Sequence, residues 1–192
     1  MRLAAVVEGA EHVCCRYRVR AFQPWFSQYG HTVELITLAK NWFARVRQYR
    51  RFAEYDAVIV LRQLFSPLEL ALLRRASQRL IFDLDDAIWM RDSYAVKGQR
   101  SRKRESRFRR MCQRADVVVA GNAFLADQAR RFGATNTHLV PTCVEPTKYQ
   151  QATQSNDSKT LVWIGSSSTL QGLESLRPTF ELLGQRLTGW RL

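Results

Sequence analysis

Six short apolar runs, separated by stretches with helical spacing, constrain the fold of this chain more than any other feature of its sequence. Continuous apolar runs bounded by turn residues read as strands buried on both faces, the kind found where helices wrap a parallel sheet. The runs are RLAAVVE, HTVELIT, DAVIVLR, RLIFDLD, ADVVVAG and THLVP. Between them, YRVRAFQPWFSQYG reads as a helix closing at Gly30, and WFARVRQYRRF as a basic, aromatic helix or loop. PLELALLRRASQ opens with a proline suited to a helix start, and NAFLADQARRFG has Asn122 as its cap and Gly133 as its stop. The order predicts an α/β fold, a Rossmann-like doubly wound parallel sheet over residues 1–141.

After Pro141 the pattern changes. Residues 142–159 are polar, carry no long apolar run and read as a linker. Residues 160–192 start again with a strand in TLVWIG, a small-residue turn and an amphipathic helix. One strand and one helix cannot bury their apolar faces alone, so this segment is expected to be the first βα unit of a truncated second Rossmann-like domain.

Charge narrows the partners. The net charge is +13, and from Arg91 to Arg114 ten Lys or Arg stand against Asp92 and Glu105. Such an excess repels itself unless it meets an anionic partner: nucleic acid, acidic lipid or a phosphorylated small molecule. A second basic run, Lys40 to Arg51, interleaves Trp42, Phe43 and Tyr49, with Phe52 just beyond, among arginines and suits an anionic membrane surface or a solvated helix face. No apolar run approaches the length that spans a bilayer, so the expected location is the cytoplasm, with peripheral contact at the inner face of the membrane. The cysteines at 14, 15, 112 and 143 lack zinc-knuckle spacing and read as structural or incidental thiols.

In open parallel sheets, ligands bind beyond the carboxyl ends of the strands. The first such turn holds a single Gly9, without the dinucleotide fingerprint, and is followed by Arg16, Arg18 and Arg20, of which one or two can reach an anionic group. The fourth ends in Asp83, Asp85 and Asp86. An aspartate pair there can hold magnesium with a phosphate; equally, one aspartate can cap the turn or pair with a downstream arginine. The run GSSST, with Gly165, Ser166 and Ser167, suits a phosphate at a helix start or a plain cap, and lacks the lysine of a P-loop.

The segments RYRVRAFQPWFSQYGHTVELIT, YDAVIVLRQ, RLIFDLDDAIW, ADVVVAGNAFLADQARRFGATNTHLVPTCVE and LVWIGSSST, in this order, resemble the amino-terminal half of a GT-B fold glycosyltransferase of the family 4, group 1 type. The resemblance implies a retaining enzyme that moves sugar from a nucleotide-activated donor to a polysaccharide, lipid-linked or other glycan acceptor, without a metal cofactor. Residues 1–141 would hold the acceptor, with Arg16, Arg18, Arg20 and Asn122 as contacts. Asp85 and Asp86 would sit at the transferred sugar, and Gly9, Gly165, Ser166 and Ser167 would approach the donor diphosphate. Because the sequence stops at Leu192, before the donor-site residues such enzymes place later, the chain is expected to be incomplete and inactive alone. The alternative is a non-catalytic basic Rossmann-like module that binds RNA or another polyanion; it has charge in its favour but no stacking signature, which makes nucleic acid the weaker expectation.

Overall fold

Strand β1 (Arg2–Val7) sets the layering of the first unit, because its side chains divide between two apolar clusters: Ala4 and Val6 in one, Ala5 and Val7 in the other. That is the two-sided burial expected of a central parallel strand. The computed structural model describes residues 1–93, 95–144, 159–165, 169–187 and 189–190. Strands β2 (Thr32–Thr37), β3 (Ala57–Leu61), β4 (Leu80–Leu84), β5 (Val117–Ala120) and β6 (Thr137–Leu139) join β1 in one six-stranded sheet of order β2-β1-β3-β4-β5-β6. Every pairing is parallel. The chain is thus α/β with a Rossmann-like sheet flanked by helices.

The path from β1 to β2 runs one way along the sheet and all later crossovers run the other way. Right-handed connections therefore place the first helices on one face and the rest on the opposite face. The clusters agree: Cys15 of α1 (Val13–Arg18) and Val19 pack with Ala5, Val7 and Leu61. Buried side chains of α3 (Trp42–Arg51), α4 (Pro67–Ala76), α5 (Arg102–Arg114) and α6 (Ala123–Arg131) pack on the other side with Val60, Phe82 and Val118. Such a reversal between β1 and β3 leaves a crevice at their carboxyl ends.

The structure departs from the sequence reading in three places. The single helix expected to close at Gly30 is broken into α1, a 3-10 turn (Arg20–Phe22) and α2 (Gln23–Gln28). Pro24 lies in the first turn of α2, where its missing N–H is harmless but where it would break a continuous helix. The basic segment expected only as a charge run contains the 13-residue α5. Phe108, Met111 and Cys112 bury one stripe of that helix, and its cations take the rest. Trp89 and Phe132 hold Phe108 at ring-centroid distances of 4.7 and 5.1 Å.

The third departure is in the second unit. Contacts divide the chain into Met1–Val144 and Glu145–Leu192. The strand expected in TLVWIG does not form: Thr160 makes an isolated bridge and residues 161–165 have no regular structure. A strand needs a neighbour for its N–H and C=O groups, and the described residues of this unit offer only α7 (Leu170–Ser175) and α8 (Arg177–Arg186), neither with a buried residue.

Helix α4 shows how local chemistry fixes a wall of the crevice. Ser66 accepts from the Glu69 N–H at 3.3 Å, Glu69 accepts from the Ser66 N–H at 3.0 Å, and Pro67 starts the helix. The Glu69 carboxylate also takes Arg45 of α3 at 2.7 Å. Burial works against its charge, but the Ser66 hydrogen bonds and Arg45 outweigh burial and hold its pKa below the ordinary 4.5. A depressed carboxyl pKa adds stability that is present above the ordinary value and lost as pH falls through the folded one. Glu69→Gln should therefore cost about 1 kcal/mol at neutral pH, measured by urea unfolding, and the gap to wild type should close as pH drops below 4.5.

Candidate functional site

The alternation of β4 sends Phe82 into the core with α5 and α6, and Asp83 to the other face, toward α1. There Arg18 grips the Asp83 carboxylate with both forks, Nε to Oδ1 at 2.9 Å and Nη2 to Oδ2 at 2.7 Å. The two side chains are 2% and 9% exposed. The remaining fork donates to the Val140 carbonyl at 2.5 Å and to Thr142 at 3.5 Å, tying the segment after β6 to the same point. Burial opposes the charge of Arg18, but hydrogen bonding to Asp83 and its negative charge raise the Arg18 pKa overall. Burial pushes the Asp83 carboxyl up, and Arg18 pulls it back only in part.

Asp85 and Asp86 lie one step beyond β4 and turn toward β3. Their partner is Arg62, which follows β3 in the left-handed conformation, at φ +52°. A residue with a Cβ seldom adopts that region without cause. The conformation is held by the Arg62 N–H, which donates to the Asp83 carbonyl at 3.0 Å, and by the guanidinium, which reaches Asp86 at 2.9 Å and the Cys14 sulfur. Arg62 Nε and Asp85 Oδ1 stand 3.3 Å apart, an ion pair without hydrogen-bond geometry. Both atoms are buried and lack any hydrogen-bond partner among the described residues. Burial raises the Cys14 thiol pKa above its ordinary range, so the sulfur meets Arg62 as a neutral group.

Arg62 also forms part of a cavity of about 810 Å³. Its lining comes from the carboxyl ends of β1 and β3, through Glu8 and Arg62 to Phe65, and from the loop after β4, through Ile88 and Arg91. Arg45 of α3, Glu69 of α4, and Lys103, Arg104 and Arg107 of α5 complete it, with Ser101 at the α5 cap. The cavity thus occupies the crevice that the strand order predicts, at the size of a small-molecule site. Six cations face two carboxylates.

The structure separates the residues singled out from the sequence. Asp85 and Asp86 come together on Arg62, which lines the cavity, although neither aspartate does so itself. Arg18, expected to reach a ligand anion, reaches Asp83 instead, because α1 lies on the face to which Asp83 points. Arg20 pairs with Glu11, and Arg16 lies over the Tyr17 ring at 5.8 Å. Asn122 caps α6 by accepting from the Leu125 N–H at 2.9 Å. Above Gly9 the space is open, with nothing within 4 Å of where a Cβ would stand. Gly165 lies against the Trp163 ring in the second unit, and Ser166 and Ser167 lie outside the described residues.

Of the aromatic residues read as a lipid-facing set, Tyr49 and Phe52 are buried in the core, while Phe43 is 82% exposed and Trp42 also reaches solvent. Arg45, Arg91, Lys103 and Arg107 were legible only as charge runs. The signal that could have found them is the crossover rule, which brings the helices after β2, β3 and β4 to one face. Among the described residues, no group of three His, Cys, Asp or Glu side chains could hold a metal ion, and no helix is long and apolar enough to cross a membrane. No protein-family model matches the chain, and no curated protein matches it either.

Removing one partner of the buried pair leaves the other charge uncompensated. Arg18→Met should cost about 3–5 kcal/mol in urea unfolding, and Asp83→Leu added to it should recover most of that loss.

Proposed function

We propose that this chain is the acceptor-binding half of a retaining glycosyltransferase, with the crevice between β1 and β3 as the acceptor site and Asp85 and Asp86 at its reacting edge. The observation that carries the proposal is the cavity at the sheet's switch point, flanked by a carboxylate pair that a strained arginine holds in place. Side chains held in unfavourable backbone or hydrogen-bond geometry concentrate where ligands bind, since the surrounding structure must supply the compensation.

In this reading the bond from the anomeric carbon to the nucleoside diphosphate breaks, and a hydroxyl of the acceptor on that same face bonds to the carbon while its proton passes to the departing phosphate oxygen, so the anomeric configuration is kept. Asp86, exposed to solvent beside Arg62, accepts a hydrogen bond from a hydroxyl of the sugar or acceptor and so orients it. Arg62 fixes the carboxylates by its contacts with both. The open turn at Gly9 lets a diphosphate approach the backbone. Charge on the departing diphosphate is stabilised by fixed dipoles and cations, the main catalytic contribution expected for this chemistry. The exposed Trp42 and Phe43, beside the cations of α3, suit a peripheral position at an anionic membrane.

A second reading, a non-catalytic polyanion-binding module, draws on the cations of α5. The two separate in a transfer assay on the protein expressed at full length from its gene, with a panel of nucleotide sugars and with glycan and lipid-linked acceptors. Asp86→Asn should lower transfer about 100-fold, the scale set by loss of substrate orientation, while leaving the unfolding midpoint near wild type. Absence of transfer with every donor, together with salt-sensitive binding of single-stranded RNA, would instead establish the polyanion module.

A further inference from the structure

The charge on the crevice walls is unevenly answered. Arg45 is paired with Glu69 and Arg62 with Asp86, but Arg91, Lys103, Arg104 and Arg107 have no carboxylate partner among the described residues. Arg91 and Arg104 donate to loop carbonyls, Arg91 to those of Lys97, Gly98 and Arg100, and Arg104 to that of Met90. These bonds fix the two side chains without neutralising them. Among the described residues Arg107 has only a long contact to the Leu64 carbonyl, at 3.4 Å. Lys103 and Arg107 stand four residues apart on α5, on one helix face. Cations gathered in a concave site, rather than spread on a convex helix face, focus their field on what enters.

The cavity wall is not wholly polar. Leu64, Phe65 and Ile88 give it an apolar side next to the cations. With about 810 Å³ it exceeds what a small inorganic anion fills and falls within the range of organic ligands. A single carboxylate would leave most of the positive charge unanswered; a group with two or more negative charges would not.

We infer that this cavity binds an organic phosphate or diphosphate ester, with Lys103 and Arg107 taking the phosphoryl oxygens and Leu64 and Ile88 taking the organic part. On the transferase reading above, on which this inference rests for the ligand's role, the acceptor is a phosphorylated molecule. Its source is either a soluble sugar phosphate or a lipid diphosphate, and the cavity chemistry is the same for both.

The test is titration calorimetry on the full chain with inorganic pyrophosphate, glucose 1-phosphate and a short-chain prenyl diphosphate as probes. The variants are Lys103→Ala combined with Arg107→Gln, and, as a charge-matched control on the same helix outside the cavity, Arg102→Gln combined with Arg110→Gln. The inference expects pyrophosphate binding that weakens at least 10-fold in the cavity pair and less than about threefold in the control pair, since Arg102 and Arg110 do not line the cavity and act on a ligand there only through solvent-screened charge. Thermal unfolding of each variant identifies loss of fold, in which case Lys103→Ala alone, a change at an exposed side chain, carries the comparison. An organic ester that binds more tightly than pyrophosphate supports the assignment, and which one does so identifies the source. Equal losses in the two pairs, or no binding of any probe, would overturn it. Failure here leaves sugar transfer to a neutral acceptor standing, whereas site-specific phosphate binding without transfer removes the transferase reading and keeps the site.

Discussion

The buried pair of Arg18 and Asp83 holds the rest of this site together. Three segments far apart in sequence meet on one guanidinium: helix α1, the end of β4, and the chain after β6. An arginine buried this deeply is tolerable only because its forks are filled in the geometry a carboxylate offers. The benefit is position more than stability, since two desolvated charges recover in attraction only part of what they lose in hydration. With Asp83 anchored, the next residues of the same loop have little freedom. Its carbonyl receives the Arg62 N–H, and that bond supports the left-handed conformation from which Arg62 reaches Asp85 and Asp86.

The crevice is accordingly built from two layers with different physics. Beneath it, an apolar layer of β4, α5 and α6 side chains fixes the helix that carries the cations, with Phe108 locked between Trp89 and Phe132. Above it lies a layer of ion pairs and helix caps, in which Glu69 serves both the capping box of α4 and the position of Arg45. The packed layer is shaped by excluded water and tolerates little change in volume. The polar layer faces the cavity, where solvent moderates each charge, and it holds its geometry through shared partners.

Helix α5 illustrates why a charge run need not be a loop or a tail. Its intrinsic preference for helix is good, because Arg, Lys, Glu and Gln lose little side-chain freedom there. Like charges along it repel, and what offsets the repulsion is the buried stripe of Phe108, Met111 and Cys112. The stripe also explains the thiol of Cys112, pushed by burial to about 12 and so behaving as an apolar group. A helix held from below in this way can present its cations to a ligand without giving up its place in the fold.

How much of this was legible beforehand differs by the range of the interaction. The apolar runs determined the strands of the first unit, and with the crossover rule they implied a parallel sheet with a crevice at its carboxyl edge, while the places of β2 and β6 at the exposed edges were decided by the fold. The helix start at Pro67 and the cap at Asn122 are local and were written in adjacent residues, whereas the Ser66 capping box was seen only in the structure. Only the tertiary structure decided that Arg18 belongs to Asp83 rather than to a ligand, because that pairing spans 65 positions. It likewise decided that Tyr49 and Phe52 are core rather than lipid-facing, and that cations from two separate runs line one cavity. A charge in a sequence has a sign but no neighbours, and the field at a site depends on distances that exist only once the chain has folded.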